Sequence, residues 1–123
     1  MQHKKQAFNL IEEIVHQNQS VWNNPRGTFN AELEYEMLKE EVTELKDAIE
    51  PVDQFDALLD TIYVAIGSLH KLGLTPAQMV DGLQVVQNAN AQKSGSKNTD
   101  GKVTKPEGFV PPEVKLQAIL DRP

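Results

Sequence analysis

The chain has 123 residues, of which 12 are Lys or Arg and 18 are Asp or Glu, so its formal charge is −6, and it contains no cysteine. This length is typical of one domain, and the lack of cysteine excludes a disulfide framework, a thiol nucleophile and a thiolate metal site. Any metal is therefore expected to bind oxygen or imidazole ligands. An acidic chain lacks the basic footprint that polymeric nucleic acid requires, and we expect no such partner.

No stretch of the sequence has the pattern of a membrane or export segment. The uninterrupted apolar runs are only a few residues long, against the roughly 20 residues that a transmembrane helix needs. Residues 1–15 lack the apolar core of a signal peptide. We therefore expect a soluble, cytoplasmic protein with no membrane partner.

The first half of the chain predicts two helices separated by a loop. Apolar residues recur at helical spacing over about residues 3–19, and a connection rich in Asn and Gln follows. A second helix is expected over about residues 31–49, and Pro51 bars its continuation. The predicted inward stripe of this helix consists of Leu38, Val42, Leu45 and Ile49.

The second half predicts two further helices and a long loop. The third helix, about residues 54–73, is apolar nearly all round in its middle, so we expect it to be buried in the centre and to stop at Gly73. The segment Thr75-Pro76-Ala77-Gln78 has the residues of a capping box and starts a fourth helix. A basic loop at about residues 92–112 and a short C-terminal helix, EVKLQAIL, complete the chain.

No alternating strand pattern is convincing, so the predicted fold class is all-α, a four-helix bundle-like single domain over residues 1–123. Four helices of this length make a thin core, and the third helix is apolar on two sides. Association of copies buries more apolar surface. We therefore expect a homodimer or a homotetramer.

The charge is distributed unevenly along the chain. Residues 32–60 carry 11 acidic and two basic side chains, a charge of −9, whereas residues 93–105 carry four Lys and one Asp, a charge of +3. Most acidic side chains on the second helix are expected to form a solvated face, as charged residues usually do. This expectation covers Glu32, Glu34, Glu36, Asp47 and Glu50.

Four carboxylates do not fit a solvated face. Glu41 and Glu44 border the apolar stripe of the second helix at i, i+3 spacing. Asp60 lies inside an apolar run, where an isolated carboxylate is costly, and Asp56 lies one turn earlier on the same face. If the second and third helices pack antiparallel, these groups meet across the interface.

Carboxylates gathered in this way repel one another, and a divalent cation relieves the repulsion. Mg²⁺, or Mn²⁺ in its place, takes about six oxygen ligands and is the expected cofactor. The alternative is that Asp60 is held by a Lys, an Arg or a hydroxyl such as that of Thr61. The three histidines, His3, His16 and His70, share no spacing and are expected at the surface or on helix flanks.

Two blocks of the sequence resemble a known superfamily. EEVTEL at residues 40–45 and DALLDTIYV at residues 56–64 resemble the EExxEL and DxLxDxxYV segments of the all-α nucleoside triphosphate pyrophosphohydrolases, which include MazG-like proteins, dimeric dUTPases and a phosphoribosyl-ATP pyrophosphohydrolase-like branch. Downstream, NANAQK, GKV and KPEGFVPP are similar to the SNMSK, GKV and KGPNYFPP segments of that last branch. The blocks occur in order over roughly residues 33–113.

The resemblance implies an oligomeric helical bundle that uses Mg²⁺ to cleave the α–β phosphoanhydride of a nucleotide, releasing pyrophosphate and a nucleoside monophosphate. By position, Glu41, Glu44 and Asp60 would be metal ligands, and one of the two glutamates would act as the catalytic base. The family often has ExxD on its third helix, but here Ala57 occupies the first of those positions. Asp56 is the nearest replacement ligand.

The resemblance also suggests how the nucleotide binds. Asn90, Lys93 and Lys105 would contact the substrate, with the two lysines acting as charges on the phosphates. Trp22 and Phe109 are candidates for stacking on the base, although loop aromatics are more often packing anchors. The preferred base and sugar are not predicted.

Three functions remain open at this point. The first is hydrolysis of ribo- or deoxyribonucleoside triphosphates, and the second is hydrolysis of phosphoribosyl-ATP in histidine biosynthesis. The third is a catalytically inactive helical interaction protein, in which the carboxylates form salt bridges between helices.

Overall fold

The computed structural model describes residues 2–93, 101 and 107–123, and these residues form helices without any strand. The all-α fold class is therefore confirmed, and the helix bounds lie within three residues of those expected. Across the described ranges, no single helix is long and apolar enough to span a membrane, although the helices Pro51–Leu72 and Pro76–Ala91, counted as a pair, meet that test by length and composition. The five helices are α1 (Gln2–Ser20), α2 (Ala31–Asp47), α3 (Pro51–Leu72), α4 (Pro76–Ala91) and α5 (Glu113–Leu120).

The chain divides into two compact units, Met1–Pro76 and Ala77–Pro123. In the first unit α3 packs on both α1 and α2. In the second unit the α4 side chain of Gln78 donates a hydrogen bond of 2.9 Å to the carbonyl of Ile119 in α5. Few apolar residues are buried among those that the structure describes: Ala57 in the first unit and Met79, Ala89 and Ile119 in the second.

Local signals define the α2–α3 hairpin. Asn30 caps α2 by accepting a hydrogen bond of 3.1 Å from the backbone N–H of Leu33. Pro51 does more than end α2, because it occupies the first turn of α3, where a missing N–H costs nothing. The third helix therefore begins three residues earlier than predicted. Gly73 ends it in the left-handed conformation, with φ of 112°.

The inward face of α2 differs from the predicted stripe. Leu38 and Leu45 are half-buried, but Val42 and Ile49 are 52% and 84% exposed. The buried position on this helix is instead Glu34, which was expected on the solvated face. The physical reason is that Glu34 pairs with a buried lysine of α3, and this pair turns the Glu34 side of the helix inward.

The prediction that α3 is a buried central helix is wrong, within one copy of the chain, for its N-terminal half. Its buried positions are mostly small or polar: Ala57, Gly67, Ser68, His70 and Lys71. Gly67 allows α1 to approach closely, because a Cβ at this position would lie 2.9 Å from the side-chain oxygen of Asn18. The opposite side forms an apolar stripe that is 49–69% exposed, made of Val52, Phe55, Leu58, Leu59 and Ile62.

The loop between α1 and α2 is fastened to the end of α3. The N–H of Gly27 donates to the carbonyl of Lys71 at 2.8 Å. The ring of His70 is fully buried, with Nε2 2.9 Å from the carbonyl oxygen of Asn24. The surface position expected for His70 is therefore wrong, whereas His3 and His16 are exposed.

Candidate metal centre

Three carboxylates converge where the end of α2 faces the middle of α3. Glu41 and Glu44 are three residues apart, so both project from one side of α2, and Asp60 projects from α3. One carboxylate oxygen of each residue lies within 4.8 Å of the other two. Within the described ranges, this is the set of acidic or imidazole side chains that comes together closely enough to hold one metal ion.

The cluster has an excess of negative charge. Glu41 and Asp60 are half-buried, and Glu44 is exposed. The Oε2 atom of Glu41 is buried without a hydrogen-bond partner. Burial raises the pKa of Glu41, and the neighbouring charge of Glu44, a hydrogen bond with Glu44 and the charge of Asp60 raise it further. Because its pKa is raised, Glu41 holds a proton more tightly in the metal-free folded protein than in the unfolded chain.

The residues present fit a hard divalent cation. All three donors are carboxylate oxygens, which suit Mg²⁺ and Mn²⁺, and three protein ligands leave positions for water or phosphate oxygens. A cation would also satisfy the unpartnered oxygen of Glu41.

The alternative partners for Asp60 are engaged elsewhere. The hydroxyl of Thr61 donates to the carbonyl of Ala57 at 2.8 Å, within its own helix. The ion pairs seen in the described ranges join Lys71 to Glu34 and Arg122 to Asp81, and neither includes Asp60. A salt-bridged Asp60 therefore has no support among these contacts.

The structure does not bring Asp56 into the carboxylate cluster. Asp56 is exposed and lines a shallow surface concavity of about 590 Å³ together with Glu44. Ala57, at the position where the resembling family often has an acidic residue, is buried between the helices and offers no ligand. The converging set therefore has three protein ligands. The other acidic residues that line the concavity are Asp47, Glu50 and Asp53.

The predicted substrate-binding residues belong to the Ala77–Pro123 unit. Asn90 is exposed, and its side-chain N–H donates to the carbonyl of Val86 at 2.9 Å. Lys93 is half-buried, with Nζ 5.5 Å from the ring centroid of Phe109, a cation–π contact. Lys105 lies outside the described residues. The nucleotide contacts proposed for these three residues stay predictions.

The two candidate stacking residues have different surroundings. Trp22 is exposed, and its indole N–H donates to the hydroxyl of Tyr63 at 3.1 Å. The hydroxyl of Tyr63 donates in turn to the side chain of Gln17. Phe109 is half-buried against Lys93. Trp22 thus keeps an exposed ring, whereas Phe109 already packs against a side chain of its own unit.

Glu34, Ser68 and Lys71 form a second polar cluster that the spacing did not predict. The hydroxyl of Ser68 donates to one oxygen of Glu34 at 2.7 Å, and Nζ of Lys71 lies 2.7 Å from the other. The sequence does contain a signal for the burial of Glu34. This residue precedes Glu41 by seven residues, about two helical turns, and therefore lies on the same inward face of α2.

One comparison with known proteins matches more than half of the chain. The family model described as phosphoribosyl-ATP pyrophosphohydrolase matches residues 9–87, a range that includes all three residues of the cluster. No curated protein matches the chain significantly.

Proposed function

The chain belongs to the phosphoribosyl-ATP pyrophosphohydrolase family, within the all-α nucleoside triphosphate pyrophosphohydrolase superfamily, and we propose that it is a Mg²⁺-dependent nucleotide pyrophosphohydrolase. The proposed reaction cleaves the α–β phosphoanhydride of ribo- or deoxyribonucleoside triphosphates to a nucleoside monophosphate and pyrophosphate. Family membership supports a hydrolase that acts on acid anhydrides. The observation that carries the metal dependence is the convergence of three carboxylates within 4.8 Å, one of them with a buried, unpartnered oxygen.

The three carboxylates share the cation in this proposal, and one of them has a second role as the base. Glu41 and Asp60, both half-buried, would hold the cation with Glu44. When bound, the divalent cation supplies positive charge that offsets the negative charge of the phosphate oxygens.

Glu44 is exposed and can meet solvent, so we assign it as the general base, with Glu41 as the second candidate. The base takes a proton from water as the water oxygen bonds to the α-phosphorus. The bond from the α-phosphorus to the bridging oxygen breaks, and pyrophosphate leaves with that oxygen.

We assign nucleotide binding to Asn90, Lys93 and Lys105. The amide of Asn90 offers both a donor and an acceptor to polar groups of the substrate. The ammonium groups of the lysines would act as charges on the phosphates. A lysine substitution should therefore raise KM more than it lowers kcat, because its contact forms already in the ground state.

A second substrate, phosphoribosyl-ATP, is favoured by the family model that matches the chain. It carries the same α–β phosphoanhydride, so the same three carboxylates would serve both reactions. Comparison of turnover on phosphoribosyl-ATP with turnover on dCTP and dUTP separates the two substrates.

The direct experiment measures pyrophosphate release by the purified full-length protein from the common ribo- and deoxyribonucleotides and from phosphoribosyl-ATP, with Mg²⁺ or Mn²⁺. We expect release from at least one substrate and none in the presence of EDTA. The proposal fails if no substrate is cleaved while Asp60→Ala leaves metal binding unchanged.

The non-enzymatic alternative makes a different prediction about stability. A metal site should raise the melting temperature as Mg²⁺ binds, because the ion binds the folded state alone. The melting temperature of a salt-bridged interaction protein should depend on ionic strength alone, so NaCl and MgCl₂ at equal ionic strength should change it equally. Matched titrations with MgCl₂ and NaCl at equal ionic strength distinguish the two.

We also propose that two copies associate through the apolar stripe of α3, with a tetramer as the alternative assembly. The stripe is too extensive for a solvent-facing helix side, and the small buried core leaves the chain short of apolar burial. Light scattering should report a dimer for the unmodified protein and a monomer for the double variant Phe55→Glu/Leu59→Glu. Val114→Glu, at an exposed valine of α5, should leave the mass unchanged.

A further inference from the structure

The polar cluster of Glu34, Ser68 and Lys71 is unusual because it places a full charge pair inside a small protein. The side chains of Glu34 and Lys71 are only 3% and 6% exposed. Ser68, which is also buried, fills the remaining acceptor side of Glu34. Burial of an ion pair costs desolvation energy that its attraction repays only with good geometry, so such a pair is weak as a source of stability. A role in specifying one arrangement of the helices is the better attested use.

The position of this cluster links it to the carboxylates of the metal centre. Glu34 lies near the start of α2 and contacts the end of α3, whereas Glu44 lies near the end of α2 and meets the middle of α3. The two helices therefore run antiparallel. Glu44 follows Glu34 by ten residues, and Asp60 precedes Lys71 by eleven, so the two clusters are separated by similar lengths of each helix. The same alignment of α2 with α3 thus satisfies both clusters.

The metal centre tolerates little error in this alignment. A documented change of register between packed elements is a shift by one helical turn, which is about 5.4 Å. Such a step exceeds the 4.8 Å within which the three carboxylates converge. It would also leave Glu34 facing a position of α3 without a lysine, since Lys71 is the one lysine of that helix.

We propose that Glu34, Ser68 and Lys71 are positioning residues, whose buried contacts fix the register of α2 against α3 that brings Glu41 and Glu44 to Asp60. This inference concerns the metal centre of the proposed function. It assigns these residues no contact with metal or substrate. It predicts that apolar residues of similar size can preserve the fold but not the alignment of the carboxylates.

The test replaces the charge pair by apolar residues in the full-length chain, as Glu34→Leu/Lys71→Met. The first readout is the metal-free interaction between Glu41 and Asp60, measured as the non-additivity of Glu41→Gln and Asp60→Asn in the free energy of unfolding with EDTA. We expect clear non-additivity in the unmodified background and less than half of it in the apolar-pair background. Equal non-additivity in both backgrounds would overturn the proposal.

The second readout is the dissociation constant of Mn²⁺, followed by electron paramagnetic resonance. We expect about tenfold weaker binding in the apolar-pair variant, a typical effect when groups that orient metal ligands are removed. The exposed pair of Asp81 and Arg122 supplies the matched control, Asp81→Asn/Arg122→Gln, for which both readouts should stay unchanged. A purely structural pair would alter stability without altering either readout.

The two readouts separate failure of this inference from failure of the proposed function. If the unmodified protein binds no Mn²⁺ but its non-additivity is lost in the apolar-pair variant, the positioning role stands and the metal proposal fails. If Mn²⁺ binds and neither readout responds, the positioning role fails alone. If the apolar-pair variant does not fold, Ser68→Ala replaces it, and unchanged non-additivity in that variant overturns the proposal.

Discussion

The two ends of the α2–α3 hairpin differ in whether their carboxylates are neutralised within the chain. At one end Glu34 is neutralised within the chain by Lys71 and by the hydroxyl of Ser68. At the other end Glu41 and Glu44 face a third carboxylate, Asp60, and an oxygen of Glu41 has no partner. One helix pair thus contains a self-sufficient charge cluster, Glu34 with Ser68 and Lys71, and an incomplete one, Glu41 with Glu44 and Asp60. We interpret the first as structural and the second as the place for a cation.

The largest effect is expected on activity, when a metal ligand is removed from the incomplete cluster. Asp60→Ala should lower Mg²⁺-dependent pyrophosphate release at least about a thousandfold, because charge compensation by a metal is worth several kcal/mol. The measurement is kcat at saturating substrate and Mg²⁺. Asp53→Asn, an exposed carboxylate in the first turn of α3, is the control and should retain activity. Similar activity in both variants would contradict the assignment of Asp60.

Substitution in the self-sufficient cluster should lower the stability of the fold. Glu34→Gln leaves Lys71 charged, buried and without its counter-ion, so the free energy of unfolding should fall by about 3 kcal/mol. Urea denaturation measures this change. Glu36→Gln, at an exposed position on the same helix, should change stability by less than about 0.5 kcal/mol. Equal effects of the two substitutions would mean that the buried pair is no different from surface charge.

The incomplete end should gain stability when one of its charges is removed. Glu41→Gln in EDTA at pH 7 should raise the free energy of unfolding by about 1 kcal/mol, the size of a solvent-screened repulsion at about 4 Å. Destabilisation would instead favour a salt bridge at Glu41. The same substitution should weaken the stabilising effect of added Mg²⁺.

The pH dependence of that gain has a definite sign. The pKa of Glu41 is raised in the folded state by burial and by Glu44, so the folded protein binds the proton more tightly than the unfolded chain does. Stability from this group is therefore present at low pH and is lost as the pH rises from the ordinary carboxyl value, about 4.3, through the raised folded pKa. The advantage of Glu41→Gln should be absent below that window and complete above it. Urea denaturation of both proteins across this pH range, in EDTA, is the measurement.

The smallest effect is expected at the exposed ion pair of the second unit. Arg122 and Asp81 lie 2.7 Å apart, the same distance as in the buried pair, but both side chains are about half exposed. Asp81→Asn should change the free energy of unfolding by less than about 0.5 kcal/mol, because solvent screens exposed pairs. A loss of unfolding free energy as large as that of Glu34→Gln would contradict the expected difference between buried and exposed ion pairs.

The spacing of residues predicted the three converging carboxylates but not their structural counterpart. Glu41, Glu44 and Asp60 stand out because their apolar surroundings conflict with their charge, and this conflict is visible in a short stretch of sequence. Glu34 shows no such conflict, because a charged residue on this helix is expected to face solvent. Its burial depends on Lys71, which comes close only when the hairpin forms. Asp56 lies one turn from Asp60, and this spacing predicts that it joins the cluster. In the structure it lies outside the cluster.

The sequence by itself determined where the helices begin and end to within three residues, since those signals act locally. Asn30 caps α2, Pro51 starts α3 and Gly73 ends it, each through its own backbone or side-chain chemistry. The tertiary structure alone decided which side of each helix is buried. Val42 and Ile49 are exposed while Glu34 is inside, because burial depends on the neighbour that a face meets and on whether that neighbour can neutralise a charge.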